Sequence, residues 1–208
     1  MRPAATKILL YPCNLVGYGR LSLLAISVAV VALYSYVGWP ITIMLRWGIA
    51  TLLFISLLIL DVVDGYLARK LGHATKFGAV FEQTIDLLTH TFVWTLSGLA
   101  LAPFIIALEW TAGLFAAAFT LQPQQHWKAA LVEDGPWLVR VYFRPMRLNL
   151  LNVYSNIAHF ALPLSLFVGG SASLATYLML PGLLIFEIVT LGMIYTFAKL
   201  LLAENMGD

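Results

Sequence analysis

Four carboxylates stand beside hydrophobic runs in the stretch LDVVDGYLARKLGHATKFGAVFEQTIDLL. Asp61 and Asp64 are three residues apart, and Glu82 and Asp86 four apart, so on helices each pair shares a face. A short segment, residues 70–76, joins the two runs. They are therefore antiparallel neighbours with both acidic pairs toward one end. An aspartate at the centre of a membrane helix costs about 2.5–3.5 kcal/mol on insertion scales. Four of them uncompensated would cost on the order of 10 kcal/mol. Converging carboxylates repel one another unless a cation lies among them. All-oxygen ligands suit hard ions such as Mg²⁺, Mn²⁺ or Ca²⁺ rather than zinc. Two divalent ions sharing a bridging carboxylate suit a site that handles a diphosphate.

Gly65 directly follows Asp64, and Gly78 lies on the facing run. Both remove side chains where a nucleotide or diphosphate would approach the backbone. Arg69, one turn beyond Gly65, is placed to meet a phosphate oxygen or an acidic neighbour. The plainer account is a set of intramembrane ion pairs, Asp64 with Arg69 for example, that only lock helices together. Four acids with glycines at these intervals favour a site, because ionisable residues inside membranes are functional by default.

The elements that must position these residues follow from composition. Of 208 residues, 61% are hydrophobic and 11% charged, against about 25% charged in soluble domains. With a mean hydropathy of +0.89, the chain reads as an all-α integral membrane protein, one domain over residues 1–208. Six hydrophobic spans are expected, near 21–39, 48–68, 77–101, 103–121, 151–169 and 176–201. An N-terminal interfacial helix near 3–17 precedes them. A hairpin at 168–173 joins the last two spans, and one long loop covers 122–149. With an even number of spans, eleven of the twelve Lys and Arg residues fall on the side of the termini and only Arg46 on the other. That split sets one orientation. A net charge of +2 without a basic stripe excludes nucleic acid as a partner. The single cysteine, Cys13, excludes an intrachain disulfide. No cleavable targeting segment is expected.

Read in order, the residues spell Asp61-x2-Asp64-Gly65-x2-Ala68-Arg69-x8-Gly78-x3-Glu82-x3-Asp86. This closely resembles the signature of the CDP-alcohol phosphatidyltransferases, whose position at Glu82 normally holds Asp. YPCNLVGYGR, through Asn14, Gly17, Tyr18 and Arg20, resembles the N-terminal motif of the phosphatidylinositol synthase branch. His126–Trp127 and RVYF at 140–143 are similar to that branch as well. The resemblance implies a six-span fold with a polar cavity open to one side. The implied reaction moves a phosphatidyl group from a CDP-diacylglycerol-like lipid to a small alcohol, inositol being one candidate, and releases CMP. Asp61, Asp64, Glu82 and Asp86 would hold two Mg²⁺ or Mn²⁺ ions, and Asp86 would also be the general base. Asn14, Gly65, Ala68, Arg69 and Gly78 would line the nucleotide.

Three departures bear on activity. Glu82 is one methylene longer than Asp, Leu87 stands where the branch has Arg, and Gln122 replaces an expected acid. Arg140, Arg144 and Arg147 serve either as an interfacial positive belt or as contacts to an anionic acceptor or lipid phosphate. His73 reads as solvent-facing and structural. His90 reads as a hydrogen-bonded span histidine, and His159 and Glu187 as a pair within the spans. The leading function is phospholipid synthesis by phosphatidyl transfer. The alternative is a catalytically impaired relative, a structural or lipid-binding subunit of a larger membrane complex such as a mitochondrial one. A divalent-cation transporter ranks third, because its acids would line a path across the bilayer. Membrane lipids are expected neighbours, with a homodimer or complex partners compatible. The endoplasmic reticulum, mitochondrial inner and bacterial inner membranes all fit.

Overall fold

The computed structural model describes residues 5–121, 127–144, 149–169 and 174–206, and all regular structure among them is helical. A short helix α1 (Ala5–Leu9) precedes α2 (Pro12–Val37). Next, α3 (Ile43–Phe54), a π-helical stretch (Ile55–Leu60) and α4 (Asp61–Lys70) run on without interruption. Then come α5 (Lys76–Ser97), α6 (Ala102–Leu121), α7 (Trp127–Asp134), α8 (Trp137–Phe143), α9 (Leu150–Gly169) and α10 (Leu174–Met206). Five stretches are long and apolar enough to cross a membrane: α2, Ile43–Lys70, α6, α9 and most of α10. The chain is an integral membrane protein.

Local chemistry sets the helix ends. Proline at the first position of α2 lacks the N–H that a continuing helix would need, so α1 stops and α2 starts afresh. Asn14 Nδ2 and Tyr18 Oη reach back to donate to the Ile8 and Leu9 carbonyls that α1 leaves open. Thr42 and Thr75 cap α3 and α5 by accepting from Leu45 N and Gly78 N. Gly38 and Gly98 end α2 and α5 with φ of +73° and +67°, where a Cβ would be strained. The expected hairpin tip lies mostly outside the described residues.

Two expectations need correction. The first span begins at Pro12 rather than near residue 21, so α1 is all that remains of a separate N-terminal helix. The long loop at 122–149 contains α7 and α8. They are not surface excursions, because Ala130, Leu131, Val139 and Tyr142 are buried with Ala116, Phe119, Val189 and Phe197. Burying that apolar face under α6 and α10 removes more water-exposed area than an open loop would.

A second cluster joins α2, α3, α5 and α9 through Leu24, Leu53, Val93 and Phe160. Around it α5, 22 residues long, is the most amphipathic of the long helices. Its Ile85, Thr89, Val93 and Trp94 are buried. Outward-facing side chains such as Leu15, Leu21, Ile26 and Leu33 of α2 are exposed, as a lipid-facing surface requires. On the side opposite the acids, Arg46 Nη1 donates to Phe167 O near the end of α9, at 3.1 Å. There it complements the carbonyl-rich helix terminus.

Candidate functional site

α4 opens with Asp61 and Asp64 directly after the π-helical stretch. That wider turn resets the angular register of everything behind it, and such turns are frequent at functional sites. Across from it, the early turns of α5 present Glu82 and Asp86. One carboxylate oxygen from each of Asp61, Asp64 and Glu82 lies within 4.8 Å of the others. The two acidic pairs therefore meet, as their spacing requires.

The cation among them is one that the sequence offered only as a basic-side residue of the N-terminal motif. Arg20 of α2 is fully buried. Its Nη1 donates to Asp61 Oδ1 at 3.0 Å and Asp64 Oδ2 at 2.8 Å, and its Nη2 donates to Asp86 Oδ1. An arginine inside the apolar run that follows Gly17 was the available signal, since a buried guanidinium must find carboxylates. α2 comes close enough for this because Gly17 has no side chain; a Cβ there would lie 2.8 Å from Phe81 Cε1.

One guanidinium against four carboxylates would leave three negative charges in excess were all of them ionised. Arg20 engages only one oxygen of each aspartate. Asp64 Oδ1 is buried without a hydrogen-bond partner, and Glu82 makes no hydrogen bond or ion pair among the described residues. Unengaged carboxylate oxygens in a negatively charged cluster are what a hard divalent cation takes, so these residues fit Mg²⁺ or Mn²⁺.

The neighbouring positions converge at the same end. Arg69 is exposed and folds over Gly65, where a Cβ would meet Arg69 Nη1 at 3.2 Å. The suggested Asp64–Arg69 pair is not formed, because Asp64 is taken by Arg20. A Cβ on Gly78 would meet Thr75 Oγ1 at 3.2 Å and Asn14 Oδ1 at 3.3 Å, so a buried amide lies against a bare backbone. Ala68 is half-buried one turn beyond Asp64.

Other sequence expectations separate. Leu87 packs against Gly113 of α6, whose carbonyl also accepts from Gln83 Nε2 at 3.0 Å. Asn156 Nδ2 donates to Tyr142 Oη at 2.6 Å, and burial pushes the Tyr142 phenol up to about 12. Arg140 and Arg144 are exposed, and no hydrogen bond or ion pair joins them to the acids among the described residues. Arg147, Gln122 and His126 lie outside the described residues. His73 is not simply solvent-facing: its ring stacks on Tyr11, with centroids 3.9 Å apart. His90 bonds Glu109 rather than Asp86. Glu109, buried in α6, was missed altogether because a lone acid in an apolar span carries no spacing signal.

Residues 13–203 match the family model described as CDP-alcohol phosphatidyltransferase. A stretch of 79 residues is 34% identical to the CDP-diacylglycerol–inositol 3-phosphatidyltransferase of Candida albicans. That match covers 38% of this chain and 29% of the relative's length. No solved structure matches.

Proposed function

The chain belongs to the CDP-alcohol phosphatidyltransferase family, and from that premise we propose that it transfers a phosphatidyl group from a CDP-diacylglycerol-like lipid to a small polar alcohol, with inositol the first acceptor to test. The observation that carries this reading is the convergence of Asp61, Asp64 and Glu82 beside an Asp86 whose Oδ1 is held by Arg20. In this reading α5 is the sixth span. Its length and buried face support that, despite its lower hydropathy.

Asp61, Asp64, Glu82 and Asp86 would hold two divalent ions, Mg²⁺ or Mn²⁺. When bound, the ions neutralise the diphosphate and the departing CMP. Asn14, Gly65, Ala68, Arg69 and Gly78 receive the nucleotide, with bare backbone at the two glycines and Arg69 offering a guanidinium to phosphate. Arg20 fixes one oxygen of Asp86 and leaves the other to accept the hydroxyl proton. The hydroxyl oxygen then bonds to the phosphorus that carries the diacylglycerol. The bond from that phosphorus to the CMP oxygen breaks, and CMP leaves. Arg140 of α8 and Arg144 directly after it, with Arg147 three residues further along the sequence, are the cations this reading offers to an anionic acceptor or lipid phosphate.

The partial inositol-transferase relative supports inositol only weakly, because it covers a minor share of both chains. One observation favours the competing reading, a structural or lipid-holding subunit: Leu87 is spent on packing against Gly113. Purified protein in detergent, given CDP-diacylglycerol, inositol and Mg²⁺ or Mn²⁺, should release CMP, and omission of the metal should stop it. If no polyol or amino-alcohol supports release, the transferase reading fails and the subunit reading takes its place.

A further inference from the structure

Deeper in the bundle, one turn along α5 from Asp86, four helices bring a second polar cluster together. His90 comes from α5, Glu109 from α6, His159 from α9 and Glu187 from α10. Glu109 Oε1 lies 2.7 Å from His90 Nδ1 and 3.0 Å from His159 Nε2. His159 is completely buried, and Glu109 is 7% exposed. One donor atom from each of these three residues lies within 4.8 Å of the other two.

The hydrogen bonds do not close. Trp94 Nε1 donates to His159 Nε2 at 3.0 Å, a bond that needs a lone pair on Nε2. Glu109 Oε1, 3.0 Å from the same nitrogen, is a second acceptor that a lone pair there would oppose. Two buried acceptors this close need a proton or a metal ion between them, and a proton on Nε2 would face the Trp94 N–H. On the far side of the same ring, His159 Nδ1 has no hydrogen-bond partner; Glu187 Oε1 is 3.3 Å away, and both Glu187 oxygens are also unpartnered. A carboxylate behind an imidazole is the arrangement that orients metal-binding histidines and sharpens their basicity.

We propose that His90 Nδ1, Glu109 and His159 Nε2 bind a divalent transition ion, Zn²⁺ foremost, with Glu187 orienting the His159 ring. Two imidazoles and a carboxylate are an established zinc donor set, whereas the Asp61–Asp86 cluster offers only oxygens. The chain then carries two metal sites of different hardness. The ion ties α5, α6 and α9 together one turn from Asp86. Its binding takes the Nε2 lone pair from Trp94. This inference stands whether or not the protein proves to be a transferase.

The test is a Co²⁺ titration of the full chain in detergent after chelator treatment. One equivalent should produce the intense visible absorption of low-coordinate cobalt. Zn²⁺ should displace it, and excess Mg²⁺ should not. Glu109→Gln and His90→Ala should lose the band, while Asp61→Asn with Asp64→Asn should keep it. Glu187→Gln should weaken Co²⁺ binding roughly 10–100-fold, as expected for a residue that acts through a ligand. Should the variants fail to keep their helical circular dichroism, the wild-type competition decides alone. A wild-type protein with no such band, or a band that Mg²⁺ removes or that disappears in the Asp61/Asp64 variant, overturns the site and leaves a hydrogen-bonded cluster only.

Discussion

Arg20 Nη1 lies 2.8 Å from Asp64 Oδ2, 44 residues apart in the chain and both buried. This pair joins α2 to α4, and its extension to Asp86 joins both to α5. Removing the guanidinium leaves buried carboxylates without a counter-charge. Arg20→Ala should therefore cost about 3–5 kcal/mol, read as a lower thermal unfolding midpoint in detergent. Mg²⁺ should restore more stability to the variant than it adds to the wild type. Equal metal effects would mean that the carboxylates do not share a cation site.

Glycines two residues apart on α2, and so on nearly opposite faces, should respond oppositely. A Cβ at Gly17 meets Phe81 Cε1 at 2.8 Å, whereas one at Gly19 meets nothing within 4 Å. Gly17→Ala is expected to destabilise by about 1–3 kcal/mol through overpacking. Gly19→Ala should be neutral, or stabilise by up to about 1 kcal/mol through helix propensity. Paired unfolding measurements in one detergent check the contrast, and equal effects would refute the close α2–α5 approach.

Asp86→Asn should abolish CMP release while leaving Mg²⁺-dependent CDP-lipid binding largely intact. Loss of a general base costs roughly 10²–10⁴-fold in turnover. Parallel loss of binding and turnover would reassign Asp86 to holding the metals alone.

Glu82→Asp restores the residue usual at that position but withdraws a carboxylate that has no other partner among the described residues. In an enzyme adapted to glutamate, a ligand displaced by about an ångström should lose on the order of 10²-fold in rate. Steady-state CMP release at saturating Mg²⁺ measures it. A rise in activity would show that Glu82 is the impairment.

The acidic site was legible because helix periodicity is local. Spacings of three and four residues put Asp61 with Asp64 and Glu82 with Asp86, and the short link between the helices made the pairs meet. Apolar composition likewise announced the membrane and most of the spans. The start of α2 was misplaced because Asn14, Gly17 and Arg20 look polar or small along the chain. In three dimensions they are buried against α1, α5 and the acids. The helices at 127–143 were read as loop because their apolar faces are short and become recognisable only beside α6 and α10.

Sequence by itself determined the all-helical membrane class, the four acids and the family signature, since each rests on residue type and near-neighbour spacing. Tertiary structure alone decided that Arg20 supplies the internal cation and that Leu87 turns to Gly113. It alone decided that Glu109 meets His90 and His159. Those partners come from different helices, and which face each helix turns inward depends on its rotation about its own axis. Packing sets that rotation, and the π-helical stretch before Asp61 resets it. No spacing within one helix encodes how far its neighbour is turned.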